Sequence, residues 1–364
     1  NESVWSPLGF ERKHLMNNLL TVASLLFWAR IVLYAWNQGV PRAKFAAVFL
    51  GGGMLIYIFE QLRDLEDGSR LEHLWLWFCA ALSVIGPTYV WLHYQVLETM
   101  RIGYALPREY ALGAVFSVVV LYLTYRAFGT AFVAVVIGAI AYAYFGYAIP
   151  GIFGHSGIGE RQIINLLTME FDGFFGSITQ TVAVKVSLFL LYAGLMRGFG
   201  AFDLIMKLSF KTATHLRSGV AQSAVLSSLI VGSINGAQTA NAAMTGSFTI
   251  PLMKESGMKG ETSGGIEAVA SSGGQIMPPV MGAAAFVMAS LVPSVGYVDV
   301  LIAGIVPALV FYISVAIGVH YMAIKKLSED SIDLKKRITE LPDRYHPALE
   351  ITRFVLPFAV LLYT

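Results

Sequence analysis

Residues 218–253 read SGVAQSAVLSSLIVG, then SINGAQTAN, then AAMTGSFTIPLM, a run of 36 residues without one Asp, Glu, Lys or Arg. A membrane-crossing helix needs about 20 predominantly apolar residues. The run is too long for one such helix and too short for two with a turn, and its centre, Ser233–Asn241, is polar. Irregular backbone survives at membrane depth only where protein buries it or it lines a watery cavity. The stretch therefore reads as a re-entrant helical hairpin whose tip holds something small and polar, as transporter sites are built.

The rest of the chain agrees with a membrane setting. Of 364 residues, 56% are apolar and 13% charged, and mean hydropathy is +0.65, where a soluble domain would carry about 25% charge. The fold class is all-α and polytopic, with membrane lipid as its surroundings. The net charge of +2 and the lack of a basic patch interleaved with aromatics argue against nucleic acid. Cys79 is the single cysteine, so no internal disulfide forms. The first apolar stretch, Leu15–Trp36, has no small-residue cleavage site and reads as a retained span. The chain starts at Asn1 and stops inside an apolar run, Phe354–Thr364, too short to span, so the natural polypeptide is expected to extend beyond both ends.

Hydropathy gives eight crossings: 15–36, 45–60, 74–95, 111–127, 130–148, 181–199, 263–291 and 300–323. Gly51-Gly52-Gly53, inside the second, is read as a close helix-packing site rather than a ligand site. Trp28, Trp36, Trp75, Trp77 and Trp91 fall near span ends, as interfacial belts require. Cytoplasmic loops concentrate Lys and Arg, which places 324–350, with Lys325, Lys326, Lys335, Lys336, Arg337 and Arg344, inside. Counting back with 218–253 as re-entrant puts 200–217 (Lys207, Lys211, Arg217), Lys254, Lys259, Arg12 and Lys13 inside as well. It puts 149–180, with Arg161 against Glu160, Glu170 and Asp172, outside. The exceptions are the outer loops 37–44 and 96–110, with two basic residues each.

A second uncharged run, residues 268–298, reads AVASSGGQIMPPVMGAAAFVMASLVPSVGYV. Gly273-Gly274 and Pro278-Pro279 interrupt any helix there, by backbone freedom and by missing N–H groups. The freed carbonyls of Ser271 to Gln275 need a partner: a cation, water, or the Asn235/Asn241 tip. A proline kink satisfied by neighbouring helices is the plainer account, but beside a polar hairpin tip an ion or substrate site is favoured.

At these residues, GSINGAQTANAAMTGSFTIPLMKESGMKGETSGGIEAVASSGGQIMPPVMGAAAFVMA at 232–289, the chain resembles the large membrane subunit of tripartite ATP-independent periplasmic (TRAP) transporters. It is most similar to the branch with fused small and large membrane subunits that works with a TAXI-type binding protein. Looser agreement comes from YRAFG at 125–129, FFG at 174–176 and LMRGFGAFDLI at 195–205. The resemblance implies ion-coupled import of small carboxylates, delivered by a periplasmic TAXI-type substrate-binding protein, in the bacterial or archaeal inner membrane. It implies an inverted-repeat, elevator-type transporter with no ATPase and no cofactor beyond the coupling ion. Residues 1–128 would be small-subunit-like. Residues 129–364 would be the first half of the large-subunit-like domain, with hairpin 218–253 and broken helix 263–291, the second repeat lying outside this chain.

Sodium prefers hard oxygen ligands. The tip offers Ser233, Asn235, Gly236, Thr239 and Asn241, and the break offers Ser271, Ser272 and the carbonyls of Gly273 and Gly274. For the substrate, the same cavity would offer Asn235, Thr245, Gln275, Pro278 and Lys185. The tip departs from the serine-glycine-serine of the family, reading Asn235-Gly236-Ala237, and Gln238 is bulkier than usual. Lys185 lies in an apolar span; it either snorkels to water about one turn from the outer end or meets a substrate carboxylate. Glu267 is read first as an acceptor of hydrogen bonds from the hairpin and second as a proton carrier, which leaves proton coupling as the alternative to sodium. Arg30 and Glu60 are expected to pair or to snorkel.

Two rival classes are weighed. Gly154-His155-Ser156-Gly157 matches the short pattern of intramembrane serine proteases, but it follows Pro150-Gly151 in a loop, and Ser156 would need a histidine from another helix, His93 or His320. No HExxH or Walker A motif is present. A passive channel is the other rival and would lack alternating access.

Overall fold

The computed structural model describes residues 7–65, 70–198, 205–207, 209–211, 218–292 and 294–326. Among these residues the secondary structure is helical, with no strand. The chain forms two compact units that divide between Val184 and Lys185.

The first unit begins with α1 (Pro7–Trp36), α2 (Arg42–Asp64), α3 (Arg70–Thr99) and α4 (Pro107–Phe128). The ends are set locally. Pro41 precedes α2, and Gly129, at φ +80°, stops α4 after Phe128. At the start of α4 Pro107 occupies the first turn, where its missing N–H costs nothing, and the Glu109 carboxylate accepts the Leu106 N–H at 2.7 Å. Glu109 is fully buried and also accepts from Tyr89 at 2.7 Å and from Arg101, which ties the α3–α4 loop down. The core has two parts, one around Ile58, Leu76, Cys79 and Val119, the other around Val90, Phe116, Met169 and Phe175.

Helix α5 (Thr130–Phe145) buries no residue, as a lipid-facing helix would. Short α6 (Glu160–Thr168) packs on α4, where Gly113 makes room for the Thr168 hydroxyl. Helix α7 (Ser177–Thr181) runs on through a π-helical turn, Val182–Val186, into α8 (Ser187–Gly198).

The second unit is built on α9 (Gly219–Asn235), α10 (Gln238–Glu255), α11 (Gly260–Ser272), α12 (Ala283–Leu291) and α13 (Tyr297–Lys326). A core around Met206, Val220, Ala224, Met253, Ile266 and Tyr312 joins α9, α10, α11 and α13.

Among the described residues seven helices are long and apolar enough to cross a membrane: Leu15–Trp36, Arg42–Asp64, Arg70–Thr99, Pro107–Phe128, Thr130–Ala148, Ser177–Leu195 and Tyr297–Lys325. They coincide with seven of the eight expected crossings. The eighth, 263–291, is two short helices with a break between them. The stretch 218–253 is a helical hairpin whose arms of 17 and 18 residues measure about 25–27 Å, under the ~30 Å of a bilayer core. The basic residues used for orientation beyond Lys326, Arg217, the side chains of Arg12 and Lys13, and the run Phe354–Thr364 lie outside the described residues.

One expectation needs correction, and one of two alternatives drops out. The helix carrying Lys185 starts at Ser177, so Lys185 sits eight residues in, about 12 Å along the axis rather than one turn. Arg30 and Glu60 do not pair: Glu60 lies 3.9 Å from Arg63, and Arg30 lies against Phe45 and Trp91.

The glycine triad of α2 divides by face. A Cβ on Gly51 would come within 2.6 Å of the Ser83 carbonyl and 2.8 Å of the Pro87 ring, whereas Gly53 faces open space. Gly51→Ala is expected to destabilise by about 1–3 kcal/mol through overpacking, while Gly53→Ala gains up to about 1 kcal/mol of helix propensity. Opposite shifts of the thermal unfolding midpoint in detergent would check the assignment; shifts of one sign would refute it.

Candidate functional site

The hairpin closes because α9 ends at Gly236, the one residue there able to take φ +61° without strain. Its N–H bonds the Gly232 carbonyl at 3.0 Å, and any side chain at Gly236 would run into the Met281 carbonyl. Asn235 accepts the Ala237 N–H through its own side chain at 3.1 Å, an Asx-type turn. Helix α10 starts at once from Gln238.

The break after α11 is a 3₁₀ turn, Gly273–Gln275, followed by a turn with a cis Pro278-Pro279 bond and Met281 at φ +55°. Much of the freed backbone is satisfied within the break itself. The Gly273 carbonyl accepts from Ile276 and Met277 at 3.1 Å, and the Gln275 carbonyl accepts from Gly282 at 2.7 Å. The hairpin supplies the rest of the contact: the Ser233 carbonyl accepts the Val280 N–H at 3.1 Å, and a Cβ on Gly232 would come to 2.5 Å from the Gly274 Cα. Gly273 packs on Phe311 and Tyr312 of α13. Tip and break thus meet backbone to backbone, which only paired glycines allow.

Asn241 lies at this meeting point, fully buried. Its amide donates to the Ser228 carbonyl of α9 at 2.9 Å and to the Ser271 carbonyl of α11 at 3.4 Å. Its Oδ1 is buried without a partner. An unsatisfied buried acceptor costs about 1–3 kcal/mol.

One turn below stands Glu267, 1% exposed. Its carboxyl accepts hydroxyls from all three helices: Ser228 of α9 at 2.9 Å, Thr245 and Thr249 of α10, and Ser271 of its own helix at 2.8 Å. The role expected first for Glu267, acceptor for the hairpin, is the arrangement observed. Ser228 and Thr249 went unnamed at the sequence level. The signal for them was the i, i+4 spacing of Thr245 with Thr249 facing that of Glu267 with Ser271.

The other sequence candidates are placed as follows. Ser233 is half-buried and bonds the Ile230 carbonyl at 2.7 Å. Thr245 is buried on Glu267, Ser272 turns back to the Val269 carbonyl at 2.7 Å, and Pro278 is half-buried. Thr239, Gln275 and Lys185 are exposed. Among the described residues no cluster of His, Cys, Asp or Glu has the makings of a metal site. In the Gly154–Gly157 loop the His155 Nδ1 accepts the Gly157 N–H at 3.1 Å and its Nε2 lies 3.2 Å from the Tyr142 carbonyl. Both ring nitrogens are spent on folding the loop, so His155 is no base for the exposed Ser156.

A multi-pass helical protein with a polar hairpin tip seated on a broken helix has the build of a membrane transport protein. The family model described as the tripartite ATP-independent periplasmic transporter, DctM component, matches residues 115–364, and the chain belongs to that family. Members are transporter permeases, not enzymes. A Haemophilus influenzae protein named as a TRAP transporter large permease is 27% identical over 134 residues, 37% of this chain and 31% of that protein. An uncharacterized Sinorhizobium fredii protein, y4mL, is 24% identical over 188 residues, 51% of this chain and 43% of that protein. The chain spans less than half the length of these relatives in each match. No solved structure matches it.

Thr245→Val removes one hydroxyl donor from Glu267 and is expected to destabilise by about 1–3 kcal/mol. Thr239→Val, on the exposed side of the same helix, should stay within about 0.5 kcal/mol. Denaturation of the purified protein in detergent measures both; equal effects would contradict the geometry.

Proposed function

We propose that this chain is part of the permease of a binding-protein-dependent secondary transporter that imports small carboxylates across the inner membrane of a bacterial or archaeal cell. Residues 1–128 serve as the small-subunit-like part and 129–364 as the first half of the transport domain of an inverted-repeat, elevator-type machine. The partner is a periplasmic substrate-binding protein of the TAXI type. The outer loop 149–180 is its docking side, where Glu160 and Asp172 are exposed while Glu170 is held by Asn165 at 2.6 Å.

The coupling ion is sodium, held between tip and break. The observation that carries this reading is the buried, unpartnered Asn241 Oδ1 at the glycine contact. The ligands fit a hard cation: the Asn241 amide oxygen is free, and the backbone carbonyls of Ser233–Gly236 and Ser271–Gly274 are neutral oxygens, that of Ser233 with a second lone pair beyond the hydrogen bond it accepts from Val280. The hydroxyls of Ser228, Thr245 and Ser271 are turned to Glu267, so they orient the cavity rather than fill it. Thr239 and Ser272 contribute least. The substrate carboxylate takes the open side of the tip, near Asn235, Gln275 and Pro278, with Thr245 setting the helix behind it. The Lys185 ammonium, at mid-span and exposed within this chain, is the cation available for the carboxylate.

Asn241→Ala is expected to raise the sodium concentration for half-maximal uptake by roughly 5- to 150-fold, the equivalent of about 1–3 kcal/mol for one neutral ligand. The assay is uptake into proteoliposomes containing the complete permease and its binding protein. Uptake that needs no sodium, or an Asn241→Ala variant with unchanged ion dependence, would overturn the reading and leave a proton on Glu267 or Lys185 as the coupling ion.

A further inference from the structure

At one end of the first unit, α1 finishes at Trp36, α2 begins at Arg42, α3 finishes at Thr99 and α4 begins at Pro107. This end carries both loops that break the charge rule, 37–44 and 96–110. Two of its cations lie against one aromatic platform. The Arg30 guanidinium lies 5.8 Å from the centre of the Trp91 ring and 5.7 Å from that of Phe45, and the Lys44 ammonium lies 4.6 Å from the same indole. Arg42, at the start of α2, stands two residues before Lys44. Tyr34 stacks on Phe45 at 3.8 Å and donates to the Val40 carbonyl at 3.1 Å, which fixes the platform and the turn above it.

Such a cluster repels itself unless an anion is present. Among the described residues no acid pairs with it. From Arg12 to Phe59 there is no Asp or Glu, and among the described residues Arg30, Arg42 and Lys44 have no ion-pair partner. The acids at the same end are committed: Glu109 to Arg101 and Tyr89, and Glu98 to Tyr94 at 2.5 Å. The position also matters. Arg30 lies six residues before the end of α1, about 9 Å below it, within reach of a long side chain pointing to the interface. Trp36, 92% exposed, and half-buried Trp91 mark that level.

We propose that Arg30 and Lys44, over the Trp91–Phe45 platform, with Arg42 beside them in sequence at the start of α2, form a binding site for the phosphate headgroup of an anionic phospholipid. The guanidinium and ammonium hold the phosphate oxygens, and the aromatic faces keep both cations on the bilayer side of the helix ends. The acyl chains then lie along the exposed apolar face of α1, which presents Leu25, Leu26, Val32 and Leu33. This explains why the loop 37–44 tolerates basic residues, its charges being neutralised by a bound lipid, whereas in 96–110 Arg101 is neutralised by Glu109. A lipid is favoured over a soluble anion because the cations sit at the level of the interfacial tryptophans and border an apolar helix face.

The test uses the full chain in mild detergent, with native mass spectrometry counting bound phosphatidylglycerol and phosphatidylcholine in competition. The parent should retain phosphatidylglycerol preferentially. Each cation is worth about 1 kcal/mol against an anionic surface, so Lys44→Gln should cut the preference about five-fold and Arg30→Gln/Lys44→Gln about 25-fold. Lys44 is half-exposed, so its single variant reports even if the double variant unfolds. Leu26→Gln, on the apolar face alone, should weaken both lipids alike. Equal retention of the two lipids by the parent, or an unchanged preference in Lys44→Gln, overturns the proposal. Displacement of phosphatidylglycerol by millimolar inorganic phosphate would overturn the lipid and assign the cluster to a soluble anion.

Discussion

A carboxyl group cannot be buried in a low-dielectric interior unless its oxygens are hydrogen-bonded, and Glu267 meets that condition only because three helices converge on it. Ser228, Thr245, Thr249 and Ser271 each donate a hydroxyl. Those donors fix the rotation and height of α9, α10 and α11 relative to one another. With the helices so set, Gly232 falls opposite Gly274, Asn241 lands between the Ser228 and Ser271 carbonyls, and the tip reaches the break. Apolar packing against α13 supplies adhesion but little register. The hydroxyl set supplies the register, because a one-residue slip of any helix would strand the carboxyl.

The glycines then do what no other residue could. Gly236 takes the left-handed turn, and Gly232 with Gly274 lets backbone touch backbone. A tip formed this way sets main chain rather than side chains against the break, with no formally charged residue in it. The unpaired Asn241 Oδ1 is the visible cost of that arrangement, and a bound cation would offset it.

Much of this was legible before the fold. An uncharged run with a polar centre marks a hairpin, and Gly-Gly followed by Pro-Pro marks a break, because each pattern has a local backbone cause. The seven long helices follow from hydropathy alone. What was not legible depended on which faces met. Thr239 and Asn241 are two residues apart and look alike as ligands, yet one is exposed and the other buried, since a helix turns about 200° in two residues. Thr245 was read as a substrate contact, and the bond of its hydroxyl to Glu267 was not foreseen. Arg30 and Glu60 share neighbouring spans of opposite sign, but antiparallel packing sends them to opposite ends of α2. Lys185 was misjudged in depth because the helix start at Ser177 is polar and hydropathy began the span later.

The central claim is that tip and break form one unit closed by a cation at Asn241. Hydrogen–deuterium exchange of the membrane-reconstituted protein, in sodium against potassium at equal ionic strength, tests it most directly. The account predicts that sodium slows exchange in residues 232–241 and 271–282 together, and that Asn241→Ala abolishes both effects. Identical exchange in the two salts, or sodium protection confined to one of the two segments, would contradict it.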